Sequence, residues 1–257
     1  MADGSLAGSV SLKGKVSEDE WRVRVELAAL YRLAALYGWD DMIYTHISAR
    51  VPGPEHHFLI NPYGLWFDEI TASSLVKIDT EGNILQETPY FINPAGFTIH
   101  SAVHMNREDA HYVMHLHTDQ GAAVAAQKEG LLPLTQHSLI VLPRLSYHDY
   151  EGIALNLDER ERLVKDLGPD NTLMLLRNHG TLAVGATAGD CWTGMFYLER
   201  ACKMQVMALS AGRDNVLLSP NPARAEVKGQ VRQGVGGGLA WPGALRRLDR
   251  ENPGYDA

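Results

Sequence analysis

The sequence predicts a single α/β domain followed by a C-terminal tail. Helix-type and strand-type patterns alternate along most of the chain, and no linker-like segment interrupts them. The chain has 257 residues, of which 45% are hydrophobic and 21% charged. A chain of this size and composition can bury a large core without disulfides. We expect a flexible N-terminus over residues 1–16, the domain over residues 17–211 and an irregular tail over residues 212–257, where proline and glycine leave no sustained period.

Composition excludes several classes of function. The formal net charge is −8 and no block of lysine and arginine is present, which argues against nucleic acid or an anionic membrane as a partner. No apolar run is long enough to cross a membrane. Cys191 and Cys202 lie in a helical pattern without a CxxC partner, so a reducing, cytoplasmic setting is expected. The unusual feature is 11 histidines, ten of which lie between His46 and His148.

The first predicted element is a helix from about Glu18 to Tyr37. Ser17 and Glu20 have the spacing of a capping box, and Gly38 ends the pattern. Three short strand-like runs separated by turn signals follow, at Met42–Val51, Phe58–Asn61 and Leu75–Ile78.

The second half of the domain alternates in the same way. The patterns predict helices at Phe97–Met105, Asp158–Leu167 and Asp190–Ser210, and strands at His111–His117 and Thr172–Arg177. A mixed strand and helix stretch, less clearly marked, covers Gln120–Leu142. Helices and strands mixed in this order favour the α/β class.

Three histidines form a candidate metal site. His115 and His117 are two apart on a predicted strand, so both side chains point to the same face. His179 ends another apolar strand just before a glycine turn, a place where α/β proteins commonly put ligands. Three imidazoles from two strand ends can bind one divalent ion and leave positions open for substrate. The alternative is that all three are satisfied core or turn residues.

Other histidines have supporting or catalytic interpretations. His100 and His104 are four apart on one face of a predicted helix, which suits either a second ligand pair or support for the first. His148 lies between Tyr147 and Tyr150 in what we expect to be a polar loop, a common location for residues that contact substrate. His46 lies on a predicted strand and needs a buried polar partner if it faces inward.

These motifs resemble the class II aldolase/adducin family. The resemblance rests on residues 45–50 (THISAR), 58–64 (FLINPYG), 69–79 (EITASSLVKID) and 177–180 (RNHG), together with the His-x-His strand. It spans about Trp21 to Met207 and implies a three-layer α/β/α sandwich with a central, mainly antiparallel sheet. It also implies a homo-oligomer, commonly a tetramer with sites between subunits. His115, His117 and His179 would then bind a divalent metal, usually zinc, with iron(II) or manganese as alternatives.

The sequence departs from the sugar-phosphate aldolases of the family at the catalytic acid. Gly96 occupies the position of that carboxylate, and Pro94 and Ala95 replace the serines that help hold phosphate. The Gly-Asn pair that also binds phosphate corresponds to Thr45-His46. Residues 93–96 (NPAG) and 148–152 (HDYEG) instead resemble the adducin-like branch.

Three functions remain open from the sequence. The first is a metal-dependent lyase, aldolase-like, acting on a small non-phosphorylated carbonyl or hydroxy-carbonyl compound, with His148, Tyr147 or Tyr150 carrying the proton. The second is a non-haem iron oxygenase or decarboxylase on the same scaffold, because imidazole also suits iron. The third is a non-catalytic adducin-like interaction module, although the tail lacks the basic run of true adducins.

Overall fold

A computed structural model describes residues 11–152, 158–231 and 238–257. Most of the stretch expected to form a flexible N-terminus therefore lies outside the described residues, as do residues 232–237 of the tail. The described helices are α1 (Glu18–Leu36), α2 (Pro94–Asn106), α3 (Asp119–Ala125), α4 (Gln136–Val141), α5 (Glu159–Leu167), α6 (Ala188–Leu209), α7 (Asn221–Val231) and α8 (Trp241–Glu251). The strands are β1 (His46–Arg50), β2 (Phe58–Ile60), β3 (Val76–Ile78), β4 (Tyr112–Leu116), β5 (Leu145–His148), β6 (Leu173–Leu176) and β7 (Gly180–Gly185).

These strands form one mixed sheet in the order β3-β2-β1-β4-β7-β6-β5. Every neighbouring pair is antiparallel except β5 and β6, which run parallel. The β4 strand lies at the centre, between β1 and β7, and His46 pairs with His115 across the first of these contacts. The expected mainly antiparallel sheet is confirmed.

Helices cover both faces of the sheet, which confirms the expected three layers. On one face α1, α3, α6 and α8 enclose the larger core, to which Met114 and Leu116 of β4 contribute. On the other face α2 and α5 enclose a smaller core that contains Val113. Because side chains alternate along a strand, His115 lies on the α2 side with Val113.

The start of α1 follows the sequence prediction closely. The Ser17 hydroxyl accepts a hydrogen bond from the Glu20 backbone N–H at 3.1 Å, so the predicted N-cap is formed. At the other end, Gly38 has a φ of 66°, a left-handed conformation that glycine adopts at low cost.

The structure differs from the sequence prediction in three places. Gln120–Leu142 contains the two short helices α3 and α4, whose N-caps Thr118 and Thr135 account for their starts, and no strand. The strands β5 and β7 were not predicted, since both are short and β7 begins and ends with glycine. The tail expected to be irregular contains α7 and α8, and α8 is strongly amphipathic, with Leu248 in the core.

Candidate metal centre

Three imidazoles converge on one point at the end of the central strand. The Nε2 atoms of His115 and His117 are 3.0 Å apart, and those of His117 and His179 are 2.9 Å apart. All three ligand atoms lie within 4.8 Å of one another. Nitrogen ligands at about 2.0–2.1 Å from a tetrahedral zinc ion are roughly 3.3 Å apart, so the cluster is close to the required size.

The sheet itself aims these side chains. His115 is the fourth residue of β4, and His117 follows the strand on the same face. His179 lies in the tight turn from β6 to β7, after Asn178, whose φ of 55° reverses the chain. Gly180 permits the close approach of the two chains, because a Cβ there would lie 2.3 Å from the Leu116 carbonyl oxygen.

The outer ring nitrogens have partners that leave Nε2 free for a cation. His115 Nδ1 donates to the Thr181 carbonyl oxygen at 3.0 Å, and His117 Nδ1 donates to Asp41 Oδ2 at 3.1 Å. With Nδ1 protonated in each neutral ring, the lone pair lies on Nε2. This arrangement is typical of metal-binding histidines, and the residues therefore fit a divalent ion.

The local electrostatics favour neutral imidazoles. Burial, reinforced by the neighbouring histidines, lowers the pKa of His115 well below its ordinary value. The same causes lower the pKa of His179 to about 4. His115 and His179 are therefore ready to bind metal without first losing protons.

The three residues expected to carry protons lie in different places. Tyr150 is 52% exposed, and its ring centroid is 6.1 Å from that of His179. Tyr147 lies on the other face of the sheet, where its hydroxyl accepts a bond from the Leu131 N–H and its ring packs under Arg177.

The expectation that His148 lies in a polar loop is wrong. It ends β5 and is buried, and its Nδ1 donates to Asp166 Oδ2 of α5 at 2.7 Å. The turn signal that suggested a loop begins only after this residue. Of the three expected proton carriers, Tyr150 is therefore the one whose ring packs against a histidine of the cluster.

His46 lies beside the cluster, His100 lies next to His46, and His104 lies farther along the same helix; all three are buried. His46 has the polar partner that its position requires, because its Nδ1 is 2.9 Å from His100 Nε2. The ring of His46 also packs 5.1 Å from that of His115, centroid to centroid. His100 and His104 are outside the three-histidine group, which supports their interpretation as supporting residues.

Two residues that orient the cluster, Asp41 and Thr181, were not predicted from the sequence. Asp41 lies in the loop after α1, and Thr181 contributes its backbone carbonyl from β7. A backbone acceptor has no sequence signature. Asp41 could have been suspected only as one of two consecutive acidic residues after Gly38.

Comparison with known proteins assigns the family. Residues 25–206 match the family described as Class II Aldolase and Adducin N-terminal domain. The chain belongs to this family. The match includes all three clustered histidines and ends within α6.

Sequence similarity to related proteins extends over most or nearly all of the chain. A protein of Caulobacter vibrioides, whose name assigns it provisionally to aldolase class 2, is 75% identical over 99% of both chains. Alpha-adducin of Rattus norvegicus is 43% identical over 86% of this chain, which corresponds to 30% of the adducin.

Solved structures give the same result for the fold. An aldolase II superfamily protein from Pseudomonas syringae is 51% identical and superposes with a TM-score of 0.92, covering 96% of this chain and all of the other. An L-fuculose 1-phosphate aldolase from Glaciozyma antarctica is 26% identical, with a TM-score of 0.78, and covers 91% of this chain and 92% of its own. Family members that are 51% and 26% identical to this chain therefore share its class II aldolase fold.

Proposed function

We propose that this protein is a metal-dependent lyase, aldolase-like, that acts on a non-phosphorylated carbonyl or hydroxy-carbonyl compound. The observation that carries the proposal is the convergence of His115, His117 and His179, with two of their outer nitrogens already bonded. A bound divalent ion would polarise a carbonyl oxygen and stabilise negative charge that develops beside it. The protein supplies three imidazole ligands and keeps them in place from two strand ends.

The loss of phosphate contacts supports a substrate without phosphate. Gly96 and Pro94 offer no hydroxyl or carboxyl group, and His46 is buried against α2. An overall charge of −8 also disfavours a dianionic ligand. The Glaciozyma relative is named for a sugar phosphate, but at 26% identity the two proteins need not share that specificity.

We assign the proton-carrying role to Tyr150 among the residues considered. It is exposed and packs near His179, so its hydroxyl can reach a substrate held at the centre. His148 and Tyr147 are held by Asp166 and by the Leu131 N–H, which supports structural roles for them in this chain.

Zinc as the metal, a homo-oligomeric and commonly tetrameric assembly, and a cytoplasmic location complete the proposal. Nitrogen-only ligands suit zinc, with iron(II) or manganese as alternatives. The two cysteines are buried and unpaired, as in proteins of reducing compartments. No described helix has both the length and the hydropathy to cross a membrane.

Metal content tests the proposal directly. Protein purified without chelator should contain close to one divalent ion per chain, measured by elemental analysis. His115→Ala and His179→Ala should each reduce that content strongly, while His56→Ala, at an exposed loop residue, should not. Little metal in the native protein, unchanged by either ligand substitution, would contradict the lyase.

The identity of the metal separates the related possibilities. Zinc retained in air supports the lyase, whereas iron lost on exposure to oxygen supports an oxygenase or decarboxylase. The similarity to alpha-adducin supports a third candidate, a non-catalytic interaction module, which needs no metal. Tight and saturable binding of a sugar phosphate would overturn the proposed substrate class.

A further inference from the structure

A continuous line of hydrogen bonds runs along the α2 face of the sheet and ends beside the metal centre. His104 Nδ1 is 2.7 Å from the Ala110 carbonyl oxygen, and His104 Nε2 is 2.6 Å from Ser48 Oγ. Ser48 Oγ also bonds to His100 Nδ1, and His100 Nε2 is 2.9 Å from His46 Nδ1. All four side chains are buried.

The carbonyl at the far end fixes the proton positions along this line. A carbonyl only accepts, so His104 carries its proton on Nδ1 and accepts from the Ser48 hydroxyl at Nε2. The single Ser48 proton is then used, so Ser48 accepts from His100 Nδ1–H. His100 Nε2 in turn accepts from His46 Nδ1–H. The unprotonated nitrogen of the last ring is therefore His46 Nε2.

These proton positions are those of neutral rings, and the surroundings favour the neutral state. Burial lowers the pKa of His104 to about 3 and lowers the pKa of His100 well below its ordinary value. A charged ring at His104 or His100 would instead reverse the hydrogen bonds beyond it, so that His46 would accept at Nδ1 and carry its proton on Nε2. Each ring is held by hydrogen bonds at both ends except at His46, where the line stops.

Gly96 makes the space that the His46 ring fills. A Cβ at position 96 would lie 2.7 Å from His46 Cδ2 and 3.2 Å from Nε2. The ring and a side chain at position 96 are therefore mutually exclusive. Within the described parts of the chain no hydrogen-bond donor meets Nε2, although the residue is only 4% exposed. An acceptor nitrogen thus lies 3.2 Å from the place that a Cβ at position 96 would occupy.

We propose that His46 is a substrate-positioning residue, whose Nε2 accepts a hydrogen bond from a hydroxyl group of the substrate bound at the metal centre. The identity of the bound compound rests on the proposed function. The position of the proton on the His46 ring rests on the hydrogen-bond line alone. A hydroxyl donor is the feature that the site recognises. A phosphate dianion offers no such proton and would face a lone pair, so the residue also selects against phosphate.

The proton positions can be measured on the metal-free protein. Nitrogen-15 spectra of histidine-labelled protein, with His46→Gln to assign the signal, should show His46 protonated at Nδ1 and bare at Nε2. Ser48→Ala interrupts the line away from the centre and should give His46 a mixture of both forms. A His46 ring protonated at Nε2 in the wild type would overturn the inference, whatever the protein does with metal.

Ligand binding tests the recognition of a hydroxyl. Glycolate and acetate differ by one hydroxyl group, and their affinities for zinc-loaded protein can be compared by calorimetry. His46→Leu should weaken glycolate binding about tenfold, the value of one net hydrogen bond, and leave acetate binding unchanged. His46→Gln, whose amide oxygen can accept, should retain part of the difference, and the exposed His56→Gln should retain all of it.

Zinc content is measured in the same samples. Failure of the inference about His46 can therefore be distinguished from failure of the proposed metal-dependent function. An unchanged glycolate preference in zinc-loaded His46→Leu would overturn the inference and leave the metal centre intact. Equal loss of glycolate and acetate binding would also overturn it, because that result indicates general damage. Failure of the wild type to bind zinc would overturn the proposed function, while the nitrogen-15 result would still decide the state of His46.

Discussion

Glu199 is a carboxyl group enclosed in the core beside the metal-binding strands. The hydroxyls of Thr118 and Thr181 both donate to it, the latter at 2.6 Å. Burial raises its pKa to about 7, an effect larger than the opposite effect of the two hydrogen bonds. The folded protein therefore keeps this group protonated under mildly acidic conditions in which the unfolded chain ionises it.

Replacing Glu199 by glutamine should change how stability depends on pH. The stabilising contribution of a raised pKa is fully present below the unfolded value of 4.5 and is lost as pH rises through about 7. The glutamine in Glu199→Gln cannot ionise. Between pH 4.5 and about 7, the free energy of unfolding of this variant should therefore fall less than that of the wild type, and the difference should reach up to about 3 kcal/mol. Chemical denaturation at several pH values measures this. The exposed Glu161→Gln should follow the wild type, and parallel curves for Glu199→Gln would contradict the assignment.

Gly180 is a second residue with a measurable consequence. Gly180→Ala places a methyl group 2.3 Å from the Leu116 carbonyl oxygen and 3.1 Å from His117 Cδ2. We expect destabilisation of about 1–3 kcal/mol and weaker zinc binding, because the chain that carries His117 must move. Thermal unfolding and zinc titration measure the two effects.

A glycine on α7 provides the matched control for that substitution. Gly229 lies in a helix and has open space where a Cβ would stand, so Gly229→Ala should stabilise slightly, by about 0.5–1 kcal/mol. If both substitutions have the same effect on zinc affinity, the close approach at Gly180 does not position His117.

At the level of residues, the sequence predicts the ligands better than their surroundings. The strand alternation of His115 and His117, with His179 at a strand end, is sufficient to select three histidines that the structure brings together. The role of His148 is not accessible in this way, because it depends on Asp166 from a helix that follows it. Contacts between separate elements have no local pattern.

At the level of elements, helices with clear caps are predicted well and short strands are not. The starts of α1 and α6 lie within two residues of prediction, and each has a capping hydroxyl. In contrast, β5 has four residues and follows directly on a turn of 3-10 helix. Such strands form because the neighbouring strand offers hydrogen bonds, which the local sequence does not show.

The helix α8 packs onto the domain, which the sequence did not predict. Its Leu248 is fully buried, and just beyond the helix the Asn252 amide oxygen accepts from Arg32 of α1 at 2.9 Å. The backbone carbonyl oxygens of Tyr255 and Ala257 accept from residues 72 and 73. The C-terminal end is therefore part of the packed domain.

Truncating Leu248 tests this docking. Leu248→Ala should destabilise the protein by about 2–5 kcal/mol, as in other buried leucine truncations. Leu239→Ala, at a side chain that is 97% exposed in the same segment, should change stability by less than about 0.5 kcal/mol. Denaturant unfolding compares them. Equal small effects would mean that α8 contributes little to the folded state.

At the level of the whole molecule, alternating patterns predict the α/β class, and the family resemblance supplies the layers. Strand order is a different matter: β1 pairs with β4, and β4 pairs with β7, across long stretches of chain. The parallel alignment of β5 with β6 likewise depends on α5, which connects them. The order and direction of the strands are determined by packing on both faces of the sheet, and no short segment of the sequence indicates them.

The position of the three histidines connects the metal centre to folding. His117 and His179 are separated by 62 residues, and they meet only when β4 and β7 have paired at the centre of the sheet. A divalent ion held by both histidines would act as a removable cross-link between these two strands. Contacts between segments that are distant in the sequence are the slowest to form. The unfolded chain has no such site, so the free energy of ion binding would count in full as free energy of folding.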